Sequence, residues 1–404
     1  MYENRLWINQ ADGTFRDATD AAGVGDERWT TSCLIADVNG DGWPDIYSVN
    51  YLAGSDVFTR VCRVDGQDRL CPPQAFPTAG DRLYQGDGAG GFGEVTTEAG
   101  IVAADGAGLG IVAADFNGSG RLSLFVANDA RPNFLFANIT AARGLPPRFD
   151  ERALRAGVAL NRLGQVEACM GIAAGDSDGD GQIDLFVTNF EYESNTLYRQ
   201  VAGTNFVDAT QAAGLHVNGL PLMGFGTQFL DADLDGRLDL FVANGHIERD
   251  PRPGAVYQMP PQFFRNAGHG EFNEPERGEL GSYFQQQYLG RGVARLDVNR
   301  DGRPDLVVTH LDAPMALLVN NTPVARGHYL VVRLRGTASA RDAIGASVEA
   351  RFGDRRIVRQ LTAGDGFLAS NQRVLLFGLG EHDQVDKLEV RWPSGQISTF
   401  DDVA

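Results

Sequence analysis

The chain has 404 residues, 43% hydrophobic and 22% charged, the proportions of a folded soluble protein with room for two domains. A net charge of −18 with no basic stripe argues against nucleic acid as a partner. No apolar stretch approaches the roughly 20 residues that membrane insertion requires, and Lys387 is the only lysine, which disfavours P-loop and Schiff-base chemistry.

In chain order, Leu6-Trp-Ile-Asn9, Thr14-Phe15 and Ala22-Gly23 read as two strands and a turn. Residues Met1 to Trp7 are not a secretory leader. The expected location is therefore extracellular or periplasmic if a leader has been removed, and cytoplasmic otherwise.

The first acidic nonapeptide follows, with Asp37, Asn39, Asp41 and Asp45 at positions 1, 3, 5 and 9 and Gly42 at position 6. The pattern returns at Asp176, Asp178, Asp180 and Asp184; at Asp231, Asp233, Asp235 and Asp239; and at Asp297, Asn299, Asp301 and Asp305. A degenerate copy has Asp115 and Asn117 but Ser119 and Ser123. Four oxygen-bearing side chains, a glycine for the sharp turn and a free carbonyl at position 7 make a cage for a hard cation such as calcium. An EF-hand is excluded, because its twelfth-position carboxylate is replaced by Ser48, Val126, Val187, Val242 and Val308.

Each loop runs into a β-branched or aromatic segment such as Leu185-Phe-Val187 or Leu240-Phe-Val242, so it reads as a hairpin turn turned into an ion site. Asp, Asn and Gly also suit ordinary turns, but five copies at one spacing favour the ion. Four strong calcium sites and a fifth degenerate one are expected. Copies one, three, four and five hold 14 carboxylates, and four bound calcium ions would bring the net charge to −10.

The first aspartates lie 78, 61, 55 and 66 residues apart. This fits a repeat of about 45 residues with insertions, placed at 51–82, 130–168 and 246–290. A second repeated element, Leu83-Tyr84 to Ala99-Gly100 and Leu197-Tyr198 to Ala213-Gly214, completes the unit. Four short strands per unit around a ring describe a β-propeller, expected to have six or seven blades. The strands at Leu6 to Thr19 would complete its last sheet, near Asp297 to Asn321. Cys62 and Cys71, nine apart, suit a local disulfide among three possible pairings. Cys33 and Cys169 read as small buried residues.

The strands leaving the loops end at Asn50, Asn128, Asn189, Asn244 and His310, with Asp129, Glu191, His246 and Asp312 just beyond. In a propeller these form a rim on one face, able to hold a polar ligand or a further ion, although such residues also simply end strands. His246 and His310 are the acid or base candidates, with no nucleophile beside them in sequence.

From residue 324 the pattern changes to alternating strands without ion loops, such as Ala346 to Phe352 and Leu388 to Trp392. The expected domains are a propeller over 1–323 and a small β-sandwich over 324–404. Gly364-Asp365-Gly366-Phe367 reads as a tight turn with one packed aromatic, in preference to a loop reaching the propeller.

The nonapeptides resemble the FG-GAP/VCBS repeats of integrin α-subunit propellers. Ile344-Gly-Ala346, Gly364-Asp-Gly366-Phe367, Phe377-Gly-Leu-Gly380 and Val390-Arg-Trp-Pro-Ser-Gly395 make residues 327–400 resemble the ASPIC/UnbV domain. Together they are similar to the cartilage acidic protein family. That resemblance implies an all-β, calcium-binding, secreted protein, and says little of activity. The leading expectation is an extracytoplasmic binding or adhesion module with structural calcium and an unidentified protein, glycan or small-molecule ligand. The alternative, implied by UnbV-type proteins in biosynthetic gene clusters, is an enzyme of natural-product biosynthesis. Its pocket would lie on the channel face or between the domains.

Overall fold

The computed structural model describes residues 3–64, 66–102, 105–249, 254–323 and 327–404. It is all-β, and its larger part is a succession of antiparallel meanders. The first sheet runs Thr30–Ala36, Asp45–Asn50, Arg82–Gly86 and Phe92–Glu94, and the second Gly108–Ala114, Ser123–Asn128, Phe134–Asn138 and Phe149–Glu151. The third comprises Ile172–Gly175, Asp184–Val187, Thr196–Ala202 and Asn205–Asp208, and the fourth Gly224–Leu230, Asp239–Asn244, Gln262–Gly268 and Glu271–Asn273. The fifth has Gly290–Leu296, Asp305–His310 and Ala316–Leu318. Each nonapeptide joins the first two strands of its sheet, so all five loops lie at one end of the inner strands and the Asn or His exits at the other.

Successive inner strands touch through backbone. A Cβ at Gly110, Gly171 or Gly226 would lie 2.4, 2.0 or 2.4 Å from the Met170, Phe225 or Arg291 carbonyl of the following sheet. In the first sheet Ser32 Oγ donates to Leu109 O instead. Only a residue with little or no side chain allows this approach.

The count of six or seven blades is corrected to five such sheets among the described residues. The insertion at 51–82 holds a ribbon, Cys62–Val64 with Gln67–Arg69, tied by the Cys62–Cys71 disulfide. The other two supply third and fourth strands of sheets already begun. The N-terminal pair also departs from expectation: Trp7–Asn9 pairs with Phe15–Asp17 alone. The third position of the fifth sheet is already filled, with Leu306 opposite Leu318. Moreover, the Ala-Gly turn of each repeat packs on the fourth strand of the next: Phe149 N–H donates to Ala99 O and Phe272 N–H to Ala213 O. By the same rule Ala22 and Val24 join Ile46, Tyr84 and Phe92 of the first sheet. Cys169 is buried as expected, whereas Cys33 is exposed, on the first strand of its sheet, where with Ile35 it lines a cleft shared with Arg295 and the segment around Ser370.

The C-terminal strands form a sandwich. Arg355–Gln360, Ser347–Phe352, Val385–Arg391 and Ile397–Val403 make one sheet, and His328–Val332 with Leu375–Gly380 the other, closing over Val348, Phe352, Phe377 and Val390. The boundary expected at 323/324 touches residues 324–326, which lie outside the described residues.

The Gly364 turn is more than a local reversal. Ala363 and Gly364 pair with Ala113 and Val112 of the second sheet, Gly366 bridges Ile172 of the third, and Phe367 O lies 3.0 Å from where a Cβ on Gly292 of the fifth would be. Gly364 (φ 81°), Asp365 (φ 62°) and Gly366 (φ 70°) are all left-handed, and a Cβ on Gly364 would stand 2.1 Å from Ile111 O. Asp365 is buried beside Arg295 and accepts from Asn371 Nδ2, which also reaches Gln228. Phe367 ends in a cluster with Leu109, Met170, Met223, Phe225 and Met259, drawn from the second, third and fourth sheets. The loop therefore fills the axis on which the inner strands converge.

Truncating a buried phenylalanine costs about 3–5 kcal/mol. Phe367→Ala is expected to lower stability in denaturant melts by about that amount. A change under about 0.5 kcal/mol would show that the loop is not held there.

Candidate metal centres

Each loop is organised from its first and ninth residues. The glycine N–H at position 6 donates to the first aspartate: Gly42 to Asp37 at 2.9 Å, Gly120 to Asp115 at 2.6 Å, Gly181 to Asp176 at 2.9 Å, Gly236 to Asp231 at 2.9 Å and Gly302 to Asp297 at 3.0 Å. The ninth residue binds backbone on both sides. Asp45, Asp184, Asp239 and Asp305 accept from the second loop residue and from the third strand of their own sheet, at 2.8–3.2 Å. All four are buried.

Burial has an electrostatic consequence. Removal from water pushes the carboxyls of Asp45, Asp184 and Asp231 up to about 7 and that of Asp239 up to about 8, with neighbouring loop carboxylates adding to the effect. Arginines meet part of the charge: Arg199 pairs with Asp178 at 3.1 Å, Arg237 with Asp235, and Arg303 with Asp301 at 2.5 Å.

The structure brings two of the predicted ligand sets closest together. Oxygens of Asp176, Asp178 and Asp184, and of Asp231, Asp233 and Asp235, lie within 4.8 Å of one another. In the fourth loop Asp231 Oδ1 and Asp233 Oδ1 are buried without a hydrogen-bond partner. A buried anionic oxygen in that condition calls for a cation. Copies one and five place Asp37, Asn39 and Asp41, and Asp297, Asn299 and Asp301, around the same turn, where each Asn amide donates to its position-5 aspartate. The degenerate copy is held differently: Gln360 of the sandwich accepts from Asp115 N–H and donates to Asp115 O.

Two sets of residues were missed in the sequence. Asn138, Gln200, Asn266 and Asn320 lie at or within two residues of the ends of the third strands, and each amide donates to the second-position carbonyl of the preceding sheet's loop: Val38, Phe116, Ser177 and Ala232. Their shared place after Leu-Phe-Ala, Leu-Tyr-Arg, Phe-Phe-Arg and Leu-Leu-Val was a readable signal. The second set comes from the sandwich. Arg356 donates to Asp180 O, Arg355 to Asp235 O, Arg359 to Gly236 O, Gly378 N–H to Asp231 and Gln372 accepts from Asp297 N–H. The C-terminal sandwich thus sits on the ion-loop face.

The rim residues lie at the opposite end. Asn50, Asn128, Asn189 and Asn244 are buried, and their amides donate to Gly80, Pro132, Ser194 and Pro260 carbonyls. Asn50 Oδ1 accepts from Thr30, its partner in register, while Asn128 and Asn244 face glycines and their oxygens stay unpartnered. His246 Nδ1 faces Glu248 O at 2.6 Å and its Nε2 lies 3.7 Å from Glu191. His310 contacts Tyr283 Oη at 2.8 Å and Pro314 O at 2.9 Å, so both nitrogens are engaged. Asp129 accepts from Tyr51, with its carboxyl raised by burial to about 6, and Asp312 accepts from Leu289 N–H and Gln258.

Comparison with known proteins adds the family. An FG-GAP-like repeat model matches residues 2–48, 176–242 and 231–308, and an ASPIC and UnbV model matches 336–404. The chain is an FG-GAP repeat protein with an ASPIC and UnbV domain. This FG-GAP protein is similar to cartilage acidic protein 1 of Homo sapiens, 27% identical over 371 residues, covering 91% of this chain and 50% of that protein. The Xenopus tropicalis protein is 24% identical over 423 residues, covering 87% and 63%. The chain spans about half the length of the mammalian relatives it matches. Among solved structures, an Agrocybe aegerita lectin recognising terminal N-acetylglucosamine is 16% identical with a TM-score of 0.38, covering 78% of this chain and 74% of that one. Rhamnogalacturonan lyase YesW is 13% identical with a TM-score of 0.37, covering 93% and 67%.

Raised carboxyl pKa values fix the sign of a pH effect. The folded, ion-free protein holds protons that the unfolded chain has released, so this contribution to stability is full below about pH 4 and is lost as pH rises through 7 and 8. In chelator the melting temperature is expected to fall between pH 6 and 8.5. A flat or rising profile across that window would contradict the burial argument.

Proposed function

We propose that the protein is a calcium-stabilised binding module of the extracytoplasmic, adhesion type, in which the ions are structural. The ligands would be Asp37, Asn39, Asp41 and Asp45; Asp176, Asp178, Asp180 and Asp184; Asp231, Asp233, Asp235 and Asp239; and Asp297, Asn299, Asp301 and Asp305, with Asp115 and Asn117 a degenerate fifth set. The observation that carries the reading is the pair of orphaned oxygens on Asp231 and Asp233 inside a three-carboxylate cluster. A divalent ion there would satisfy both and offset the burial and, secondarily, the mutual repulsion that raise the neighbouring carboxyl pKa values.

The division of labour follows the same lines, with a repeat domain over 1–323 carrying the ions and a sandwich over 324–404 seated on them. The Cys62–Cys71 disulfide favours an oxidising compartment. The axis of the sheets, one of the two places considered for an enzyme pocket, is filled by the loop around Phe367. Among the described residues no helix is long and apolar enough to cross a membrane.

An ion at one hundred times its dissociation constant contributes about 2.7 kcal/mol per site. Calcium is therefore expected to raise the melting temperature over that in chelator by roughly 5 °C or more. The rise should shrink in Asp233→Asn. Identical melts in calcium and in chelator would overturn the proposal.

A further inference from the structure

Arg359 belongs to the sandwich strand that lies over the third and fourth ion loops. Its side chain borders the same space as Asp176 and Asp231, and a second, smaller space shared with Asp176, Asp178 and Gly236. Both terminal nitrogens are held by carbonyls: Nη1 donates to Val358 O at 3.1 Å and Nη2 to Gly236 O at 2.9 Å. Gly236 is also the residue whose N–H holds Asp231, so the guanidinium is anchored to the fourth loop itself.

That anchoring keeps the charge close to the carboxylates without contact. Arg199 and Arg237 pair directly with Asp178 and Asp235, whereas Arg359 forms no ion pair among the described residues and its Nε is buried without a partner. Its field still reaches both first-position aspartates. For Asp176 and for Asp231 alike, Arg359 is the strongest influence lowering a carboxyl pKa that burial raises, and those two carboxylates in turn favour the charged guanidinium.

A positive charge fixed beside a carboxylate cage has two opposed effects. It stabilises the carboxylates while no metal is bound, and it repels a divalent cation that enters. We propose that Arg359 is an affinity-setting residue for the third and fourth loops, a pinned counter-charge by which the sandwich limits how tightly those two loops hold calcium. The inference rests on the reading of these loops as calcium sites and adds a regulator to them. A purely structural role would have the opposite sign, because losing the bond to Gly236 O would loosen the fourth loop and weaken its ion.

Calorimetric calcium titration of the full chain, with melts in calcium and in chelator, tests it. In Arg359→Gln, two of the ions are expected to bind on the order of tenfold tighter and the others as before. The melting temperature in chelator should fall, and its rise on adding calcium should grow. Arg359→Met, also uncharged, should behave alike, whereas Arg359→Lys, which keeps the charge, should tighten no ion. Affinity unchanged or weakened in a folded uncharged variant, or equal tightening in Arg359→Lys, would refute the proposal. So would failure of both uncharged variants to fold in calcium, which would make the residue structural. A wild-type chain that takes up no calcium would instead refute the underlying reading of the loops.

Discussion

Carboxylates packed together and withdrawn from water are the constraint around which this molecule is arranged. A buried charge is tolerated only if hydrogen-bonded and neutralised. The loops meet the first requirement with backbone: Asp45, Asp184, Asp239 and Asp305 each accept from their own loop and from the third strand. The second is met in part by arginines on Asp178, Asp235 and Asp301. In the fourth loop two oxygens remain without a partner, and there the case for a cation is strongest.

The same loops hold the larger assembly together. Through Asn138, Gln200, Asn266 and Asn320 the first four are each tied to the following sheet, so order in one hairpin constrains its neighbour. Their outer carbonyls receive Arg355, Arg356 and Arg359, and the loop around Phe367 enters the axis. Neutralising the carboxylates would thus bear on hairpins, sheet-to-sheet contacts and the seat of the sandwich together. Cooperative loss of all three on ion removal is the physical expectation.

Much of this was legible from spacing alone. Oxygen donors at fixed positions before an apolar run located the loops and the strands on either side, because both depend on local chain geometry. Blade number was not legible, since insertions such as 130–168 contain strands whose sheet is decided by distant partners. Gly364-Asp365-Gly366 announces a left-handed turn, yet nothing local says that it meets Ile111, Ile172 and Val293. The amide hydrogens of the exit asparagines are taken up by nearby loop carbonyls, which depends on loop paths that spacing does not reveal. The arginines at 355, 356 and 359 alternate like any exposed strand until the surface they face is known.

Calcium titration of chelator-stripped, full-length protein by calorimetry tests the central claim most directly. The account predicts about four ions bound per chain, one for each of the loops headed by Asp37, Asp176, Asp231 and Asp297. An absence of heat and of bound metal after exposure to calcium would contradict it.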